Sequence, residues 1–298
     1  MLESLPMNPS NPSLQDWIGR SETALDSLAS TPPRALSATL DCALPPPSMG
    51  EPLPPLWHWL YFLPLNAQSE IGPDGHARRG GFLPPVDLPR RMWAGGQLSF
   101  RRPLLVGDPA RRVSTIRDVS VKQGRTGSLV FVKVEHAVFS GTDSDSEPAL
   151  TEFHDIVYRA AETPSDRKPE PERSDTQAVW IREVNPDPVL LFRYSALTFN
   201  GHRIHYDRRY VTQEEGYPGL VVHGPLVATL LLDLVRRERP LAIVESFTFK
   251  AVRPLFDLHP FQVCGVPQPD GRTIDLWAQD HEGYITMRAM AVLREVTA

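Results

Sequence analysis

The sequence predicts an α+β protein made of two similar halves, each with an antiparallel sheet and one buried helix. Three observations support this prediction: short runs of alternating polarity recur along the chain, an apolar segment near residue 230 carries helix-boundary signals, and an Arg-Pro-Leu triplet occurs twice. The prolines of the two triplets, Pro103 and Pro254, lie 151 positions apart in a chain of 298 residues. A repeat at this distance indicates a duplicated unit.

Runs in which every second residue is apolar predict half-buried antiparallel strands. The residues predicted to share a strand face are Val113, Thr115, Arg117, Val119 and Val121 in one run, Val130, Val132, Val134 and Val138 in the next, and Ile285, Met287, Ala289, Ala291 and Leu293 in the last. The glycines that predict turns between strands are Gly124, Gly127, Gly141, Gly271 and Gly283.

Each half also contains one predicted helix. Residues 225–237 begin with a proline, which is typical of a first helical turn, and Arg236 and Arg237 lie in the last turn, where the helix dipole favours cations. Apolar residues surround this segment on most sides, so we expect the helix to be buried. Residues 30–43, which include Pro32 and Pro33, predict a weaker helix for the first half.

A segment rich in proline and charge divides the chain at residues 162–178. It contains three prolines, and its composition is typical of an exposed linker. We therefore predict a first domain over residues 1–161 and a second domain over residues 179–298.

Charge and composition argue against several classes of function. The chain has 31 basic and 36 acidic residues and a formal net charge of −5, so no bulk attraction to nucleic acid or to a membrane surface is expected. The chain has only two cysteines, Cys42 and Cys264, and neither has a zinc-ligand spacing, which together favour a reducing compartment and no structural zinc. The first residues fit neither a secretory signal nor a mitochondrial presequence, and the apolar residues 220–234 are fewer than the roughly 20 that cross a bilayer. We therefore predict a cytoplasmic protein.

Several familiar catalytic motifs are absent. No GxGxxG or GxxxxGK[ST] segment is present, and no serine stands in a GxSxG elbow. His202 and His205 are three positions apart, but no carboxylate or cysteine completes a ligand set at a helical spacing. We therefore predict that the protein holds no metal.

The most informative polar stretch lies between Arg193 and Asp207. It reads Arg193-Tyr194-Ser195-Ala196-Leu197-Thr198-Phe199-Asn200-Gly201-His202-Arg203-Ile204-His205-Tyr206-Asp207. Further along the chain, His223-Gly224-Pro225 opens the predicted buried helix, whose first amides lack partners within the helix. A base and a set of backbone donors could therefore meet here.

This stretch, together with His223-Gly224-Pro225, resembles the MaoC-type acyl-thioester hydratases and dehydratases, which have the hotdog fold. Their motif reads roughly Ser-Gly-Asp-x-Asn-Pro-x-His, and a His-Gly pair opens their central helix. With Leu65-Asn66 and Gly80-Gly81-Phe82-Leu83-Pro84-Pro85, the chain is similar to the double-hotdog branch, which includes mesaconyl-C4-CoA and itaconyl-CoA hydratases and the mitochondrial 3-hydroxyacyl-thioester dehydratase. The resemblance implies a double hotdog whose antiparallel sheets each wrap a central helix.

The resemblance also implies roles for three residues. The family's catalytic histidine falls on His205, its acidic partner falls on Asn200, and its helix-start glycine, a backbone donor to the thioester oxygen, falls on Gly224. An amide cannot exchange protons at neutral pH, so Asn200 is expected to orient water or substrate. A neutral imidazole suits general-base catalysis, and we expect His205 to take a proton from water and return it to the α-carbon.

Other residues near the motif are candidates for substrate binding. Tyr194 and His223 are expected to pack or to line the pocket, and Arg193 or Arg203 to meet a free carboxylate on the substrate. The arginine pairs of the first half are Arg78-Arg79, Arg90-Arg91, Arg101-Arg102 and Arg111-Arg112. They could bind the coenzyme A phosphates, or they could simply flank exposed strand ends.

The predicted activity is a lyase reaction, the reversible hydration of an enoyl-CoA with a short branched or dicarboxylic acyl group, such as itaconyl-CoA or mesaconyl-C4-CoA. Coenzyme A enters as part of the substrate, and no cofactor is expected. Two alternatives stay open: a 3-hydroxyacyl-thioester dehydratase of fatty acid synthesis, and a non-catalytic acyl-thioester binder. The first half lacks a counterpart to residues 200–205, so we expect it to form the acyl pocket wall and a pseudo-dimer interface. A homodimer is also expected to be possible.

Overall fold

The computed structural model describes residues 13–124, 127–141, 147–160 and 170–294. The first half contains β1 (Ser21–Ser27), α1 (Thr31–Thr39), β2 (Arg90–Phe100), β3 (Pro109–Gly124), β4 (Gly127–Ser140) and β5 (Leu150–Arg159). The second half contains β6 (Trp180–Val184), α2 (Pro188–Leu197), α3 (Arg208–Gln213), α4 (Gly224–Glu238), β7 (Val244–Ala251), β8 (Phe261–Pro267), β9 (Thr273–Gln279) and β10 (Ile285–Leu293). Residues 162–169 of the predicted linker lie outside the described residues, and the domain boundaries stay predictions.

The strands form one antiparallel sheet in the order β1-β3-β4-β5-β2-β7-β10-β9-β8-β6. From its outer edge inward, the first half runs β1-β3-β4-β5-β2 and the second half runs β6-β8-β9-β10-β7. Each strand of one half therefore has a counterpart in the other. The duplication that the two Arg-Pro-Leu triplets indicate is present in the topology of the sheet.

The two halves meet where β2 pairs with β7. The paired residues run from Gly95 opposite Lys250 to Ser99 opposite Ser246, and Gln97 stands opposite Thr248. Gln97 and Thr248 are 151 positions apart, the same distance as the triplet prolines. Since each is the counterpart of the other, the pseudo-twofold axis of the chain passes through this pair. The single chain thus builds the arrangement that two identical subunits form in a symmetric dimer.

Equivalent backbone hydrogen bonds extend the correspondence beyond the sheet. The amide of Leu53 donates to the carbonyl of Leu104 (2.7 Å), and the amide of Val222 donates to the carbonyl of Leu255 (2.8 Å). Leu104 and Leu255 end the two triplets, so the segments that follow Leu53 and Val222 correspond as well. A short 3-10 turn at Trp57–Leu60 consequently occupies the place that α4 occupies in the second half.

Among the residues that the structure describes, a full central helix is present only in the second half. Helix α4 packs against β6, β8, β9 and β10, and residues 226–235 are all buried. Helix α1 forms within the predicted residues 30–43, but it follows β1 as α2 follows β6, and it packs against α2. It is therefore the counterpart of α2. Prolines at 54, 55 and 64 bracket the Trp57–Leu60 turn, and proline is excluded from a helix interior.

A buried carboxylate holds the Trp57–Leu60 turn against the sheet. Glu152 on β5 accepts hydrogen bonds from His58 Nε2 (3.0 Å), Trp59 Nε1 (3.0 Å) and His154 Nε2 (2.6 Å). Burial alone would raise the pKa of Glu152, but His154 and His58 outweigh it and hold this pKa well below its usual range. A charged carboxylate with three hydrogen-bond donors thus holds in position the turn that lies in the place of the helix.

One predicted strand face is wrong because β3 contains a β-bulge. The register between β3 and β4 shifts between Ile116 and Asp118, so Arg117 is an extra residue and the side-chain alternation changes phase. The buried residues of β3 include Ser114 and Ile116 before the bulge and Val119 after it. The predicted faces of β4 and β10 are confirmed by the buried residues Val130, Val132, Val134, Val138, Ile285, Met287, Ala291 and Leu293.

Within the described ranges, no helix combines the length and the apolar character that crossing a membrane requires.

The seam between the two halves requires glycine on β2. A Cβ atom at Gly95 would lie 2.6 Å from the backbone oxygen of Phe249 on β7, which is closer than such atoms approach. We expect Gly95→Ala to lower the free energy of unfolding by about 1–3 kcal/mol, because β7 must move away. Gly81→Ala is the control, since a Cβ there meets no described heavy atom within 4 Å. Urea unfolding of both variants measures the effect, and equal midpoints would contradict the prediction.

Candidate active site

The polar stretch around His205 lies mostly in a connection that is long only in the second half. Residues 40–51 link α1 to the β-bridge between Pro52 and Leu105. Residues 198–220 link α2 to the matching bridge between Val221 and Phe256. The additional residues hold a 3-10 turn at Arg203–His205 and helix α3. This difference in length explains why the first half has no counterpart to residues 200–205.

Helix α2 places Asn200 at the start of this connection. The side chain of Asp187 caps the helix by accepting from the amides of Val189 and Leu190. After the helix ends, Phe199 adopts a positive φ of 49°, and the backbone N–H of Asn200 donates to the backbone carbonyl of Ser195. Asn200 Oδ1 accepts from the amide of His202 (3.1 Å). The side-chain oxygen therefore shapes the turn, and the side-chain NH2 is the group that Asn200 can offer to a substrate.

His205 is a buried histidine with a defined tautomer. Its Nδ1 lies 2.7 Å from the Val221 carbonyl oxygen, and it is 8% exposed. Since a carbonyl can only accept, Nδ1 carries the hydrogen and Nε2 carries the lone pair. Burial lowers the pKa of His205 to about 4, against the opposing effect of the bond to Val221. The imidazole is consequently neutral at pH 7, with Nε2 able to accept a proton.

A second imidazole joins His205 to the start of α4. The ring of His205 stacks on the ring of His223, with centroids 3.7 Å apart and planes at 19°. His223 is the residue that precedes α4, and its Nε2 lies 2.8 Å from Ser195 Oγ. The edge of the Tyr194 ring meets His223 at 5.1 Å, and Tyr194 is buried. Ser195 and Tyr194 therefore fix His223, and His223 supports His205.

The helix start beside this stack offers backbone donors. Gly224 follows His223 directly, and Pro225 has no amide hydrogen, so the amides of Gly224 and Leu226 are the donors that open the helix. A Cβ at Gly224 would meet only the terminal methyl of Met287, at 4.0 Å. The backbone is therefore open to a ligand on this side. The structure brings His205, His223 and Gly224 together in one place.

The first half contributes a loop that sequence reasoning did not connect with the site. A Cβ at Gly75 would lie 1.8 Å from the Gly201 carbonyl oxygen, which shows how closely the two backbones approach. The ring of His76 lies 3.9 Å from that of His202, and His202 meets His205 edge-on at 5.5 Å. His76 Nδ1 lies 2.9 Å from Asp74 Oδ2. We call His76, His202, His205 and His223 the imidazole row.

The imidazole row is uncharged at neutral pH. Burial is the main cause that lowers the pKa of His202 to about 2, and it also lowers the pKa values of His76 and His223. Asp74 stays ionised, because hydrogen bonds from His76 lower its pKa more than burial raises it. A neutral row avoids repulsion between rings that lie less than 6 Å apart.

The two predicted arginine ligands lie in different surroundings. Arg203 donates to Asp207 Oδ2 (2.8 Å) and to the Pro73 carbonyl (3.0 Å), so it ties the turn of His205 to the first half. Arg193 is exposed on α2 and borders a surface cavity of about 330 Å³ that Asp187 also lines. The structure does not bring Arg193 into the imidazole row.

Arg91 on β2 is a cation that acts on two members of the imidazole row, and the charge of Arg79 also acts on one of them, His76. The positive charge of Arg91 adds to burial in lowering the pKa values of His76 and His202. The arginine pair Arg90-Arg91 is visible in the sequence, but no local pattern links it to residues more than 100 positions away. Only the sheet and the Gly75 contact bring the two parts of the chain together.

In the described part of the chain, two sets of side chains have donor atoms within 4.8 Å of one another, as a metal site requires: Asp74, His76 and His202, and His136, Glu152 and His154. In each set a carboxylate oxygen already lies within hydrogen-bonding distance of a histidine nitrogen, at 2.9 Å from His76 and 2.6 Å from His154. These contacts satisfy both carboxylates without an ion. The absence of a metal stays a prediction.

Comparison with known proteins identifies relatives along most of the chain. The family model "Hydroxyacyl-thioester dehydratase type 2" matches residues 56–257. A mesaconyl-C(4)-CoA hydratase of Chloroflexus aurantiacus is 47% identical over 93% of this chain and 96% of its own length. The mitochondrial hydroxyacyl-thioester dehydratase type 2 of Schizosaccharomyces pombe is 28% identical over 80% of this chain and 88% of its own length.

Solved structures share the fold at low sequence identity. A MaoC-like dehydratase matches with a TM-score of 0.66 and 14% identity, covering 95% of this chain and 100% of that structure. HtdX of Mycobacterium tuberculosis matches with a TM-score of 0.62 and 16% identity, covering 91% of this chain and 99% of that structure. The predicted α+β double-hotdog fold is confirmed.

The burial of His205 predicts a pH dependence of stability. In the unfolded chain this imidazole is protonated below a pH of about 6.5, its ordinary pKa. In the folded chain it is protonated only below a pH of about 4. As pH falls through this window, the free energy of unfolding therefore decreases, by up to about 1.4 kcal/mol per pH unit from this residue. We expect His205→Gln to reduce that slope.

Urea unfolding between about pH 4 and about pH 7 measures the effect. His281→Gln, which removes an exposed imidazole, is the matched control and should keep the slope of the unmodified protein. Parallel curves for the unmodified protein and His205→Gln would contradict the prediction.

Proposed function

This chain belongs to the hydroxyacyl-thioester dehydratase type 2 family, and we propose that it is a hydro-lyase that adds water reversibly across the double bond of an enoyl-CoA. The observation that carries the proposal is the stack of His205 on His223 at the start of α4. It puts a neutral base beside the amides of Gly224 and Leu226. The acyl group we propose is short and branched or dicarboxylic, such as mesaconyl-C4 or itaconyl, which the 47% identity with a mesaconyl-C(4)-CoA hydratase supports.

The first chemical step is the attack of water. His205 accepts a proton from water at Nε2, and the water oxygen bonds to the β-carbon. The electrons of the double bond move toward the thioester carbonyl, which becomes an enolate oxygen. The amides of Gly224 and Leu226 donate to this oxygen, and removing one such donor costs other enzymes about 3–4 kcal/mol of transition-state stabilisation.

The second step returns the proton. The imidazolium of His205 donates it from Nε2 to the α-carbon, and the enolate electrons restore the carbonyl. The pKa of about 4 makes this imidazolium a stronger acid than an ordinary imidazolium, which favours protonation of carbon. Because one nitrogen removes and returns the proton, hydrogen and hydroxyl add to the same face of the double bond. Asn200 can hold the water through its side-chain NH2.

The family also includes dehydratases that act on 3-hydroxyacyl thioesters, and the S. pombe relative is one of them by name. The same residues would serve dehydration, which is the reverse reaction. Activity on a long-chain carrier-protein thioester, without activity on short enoyl-CoA, would favour this second candidate.

We further propose that the protein works in the cytoplasm and could form a homodimer. Both cysteines, Cys42 and Cys264, are free thiols, which fits a reducing compartment.

Replacing His205 tests the reaction. We expect His205→Gln to lower kcat by about 10²–10⁴-fold on the accepted enoyl-CoA and to leave substrate affinity within a few-fold, because the base is lost while the binding surfaces stay. The assay follows the loss of enoyl absorbance with crotonyl-, itaconyl-, mesaconyl- and longer enoyl-CoA. His281→Gln is the control. Full turnover in His205→Gln would overturn the mechanism, and thioester binding without any turnover in the unmodified protein would identify a binder.

A further inference from the structure

We propose that Arg91 binds a free carboxylate on the acyl group and thereby selects dicarboxylic acyl-CoA substrates. This inference rests on the proposed hydratase function. It assigns a substrate-selecting residue to the first half, which supplies neither His205 nor the helix start.

Arg91 lies on β2 directly opposite Tyr158 on β5. Tyr158 is 2% exposed and packs in a buried cluster with Val130 and Val132, so this pair faces the interior of the first half. Burial raises the pKa of the Tyr158 hydroxyl against the opposing positive charge of Arg91, and the hydroxyl stays protonated. An anion bound at Arg91 would therefore find a second donor in the Tyr158 hydroxyl.

Arg91 has no acidic partner within the described ranges of the chain. The preceding residue differs, because Arg90 contacts Glu215 Oε2 at 3.7 Å and the Tyr217 hydroxyl at 3.3 Å. A half-buried guanidinium without a counter-ion has lost part of its hydration and gains from binding an anion. The carboxylate is the planar anion that matches its paired donors.

The end of the acyl group that Arg91 would meet is the one far from the thioester. The thioester oxygen is proposed to lie at Gly224, next to His223 and His205. The charge of Arg91 acts on His76 and His202, and the ring of His202 meets that of His205 edge-on at 5.5 Å. An acyl group that extends from Gly224 past His205 toward His202 therefore brings its far end toward Arg91. In mesaconyl-C4-CoA the free carboxylate is bonded to the β-carbon, the atom that water attacks.

The coenzyme phosphates are a different possible source of negative charge. The pantetheine arm separates them from the thioester, whereas the charge of Arg91 acts on His76 and His202 of the row that contains the catalytic base. A phosphate contact would affect every CoA thioester equally. A carboxylate contact would affect only substrates that carry the carboxylate.

The experiment measures selectivity, defined as kcat/KM for mesaconyl-C4-CoA divided by kcat/KM for crotonyl-CoA, which lacks the carboxylate. We expect Arg91→Gln to lower this ratio by about 10²-fold, because a charged hydrogen-bonded pair is lost. Arg91→Lys, which keeps a point charge without the paired donors, should give an intermediate ratio. Arg90→Gln is the matched control and should keep the ratio of the unmodified protein.

An unchanged ratio in Arg91→Gln would overturn the inference, whether both substrates lose activity equally or neither does. If the unmodified protein hydrates no thioester, the proposed function fails separately. Calorimetry then compares the binding of the same two thioesters. A preference for mesaconyl-C4-CoA that disappears in Arg91→Gln supports the role of Arg91, and the lack of such a preference overturns it. If Arg91→Gln does not fold, as urea unfolding would show, Arg91→Lys decides by the same ratio.

Discussion

The site depends on one contact, the stack of His205 on His223. His223 is fully buried at the residue before α4, and Ser195 lies 2.8 Å from its Nε2, so the helix start and the base of the reaction are held in one rigid unit. Two imidazolium ions at 3.7 Å would repel each other strongly at the low dielectric of the interior. The contact is therefore stable only while at least one of the two rings is neutral. Burial lowers the pKa values of both, so that both are neutral before the reaction, which is the state that a general base needs.

The two halves of the chain have diverged around a shared sheet. The pairing of Gln97 with Thr248 keeps the symmetry of a dimer. The second half holds α4 and the long connection after α2, whereas the first half has the Trp57–Leu60 turn and its Glu152 network in the place of α4. The first half contributes side chains to the site through the Gly75 loop and β2. A symmetric dimer would have to place the same side chains at both sites, whereas a fused chain can specialise each half.

Local sequence patterns were sufficient to predict part of this structure. The strands β4 and β10, the helix α4 and the duplication follow from periodicity, helix-boundary residues and the spacing of two triplets. The bulge at Arg117 was not predictable, because the alternation of residue types in the sequence continues through it. The extra residue shows only in the pairing of β3 with β4. The correspondence of Trp57–Leu60 with α4 was also not predictable, because the two segments do not have similar sequences. It follows only from the equivalent backbone hydrogen bonds to Leu104 and Leu255. His76 and Arg91 reach the site through tertiary contacts, which no short motif encodes.

The amide at Asn200 is consistent with the charge balance of the whole site. A carboxylate at this position would favour the protonated forms of the neighbouring imidazoles, and it would repel an anionic acyl group that approaches His205. Asn200 keeps the hydrogen bond to the His202 amide without adding a charge. The imidazole row is neutral, and the carboxylate of Asp74 is hydrogen-bonded to His76. The positive charge of Arg91 therefore attracts an anion without a competing negative charge at position 200. An enzyme whose substrate carries a free carboxylate therefore gains from having no carboxylate side chain at position 200.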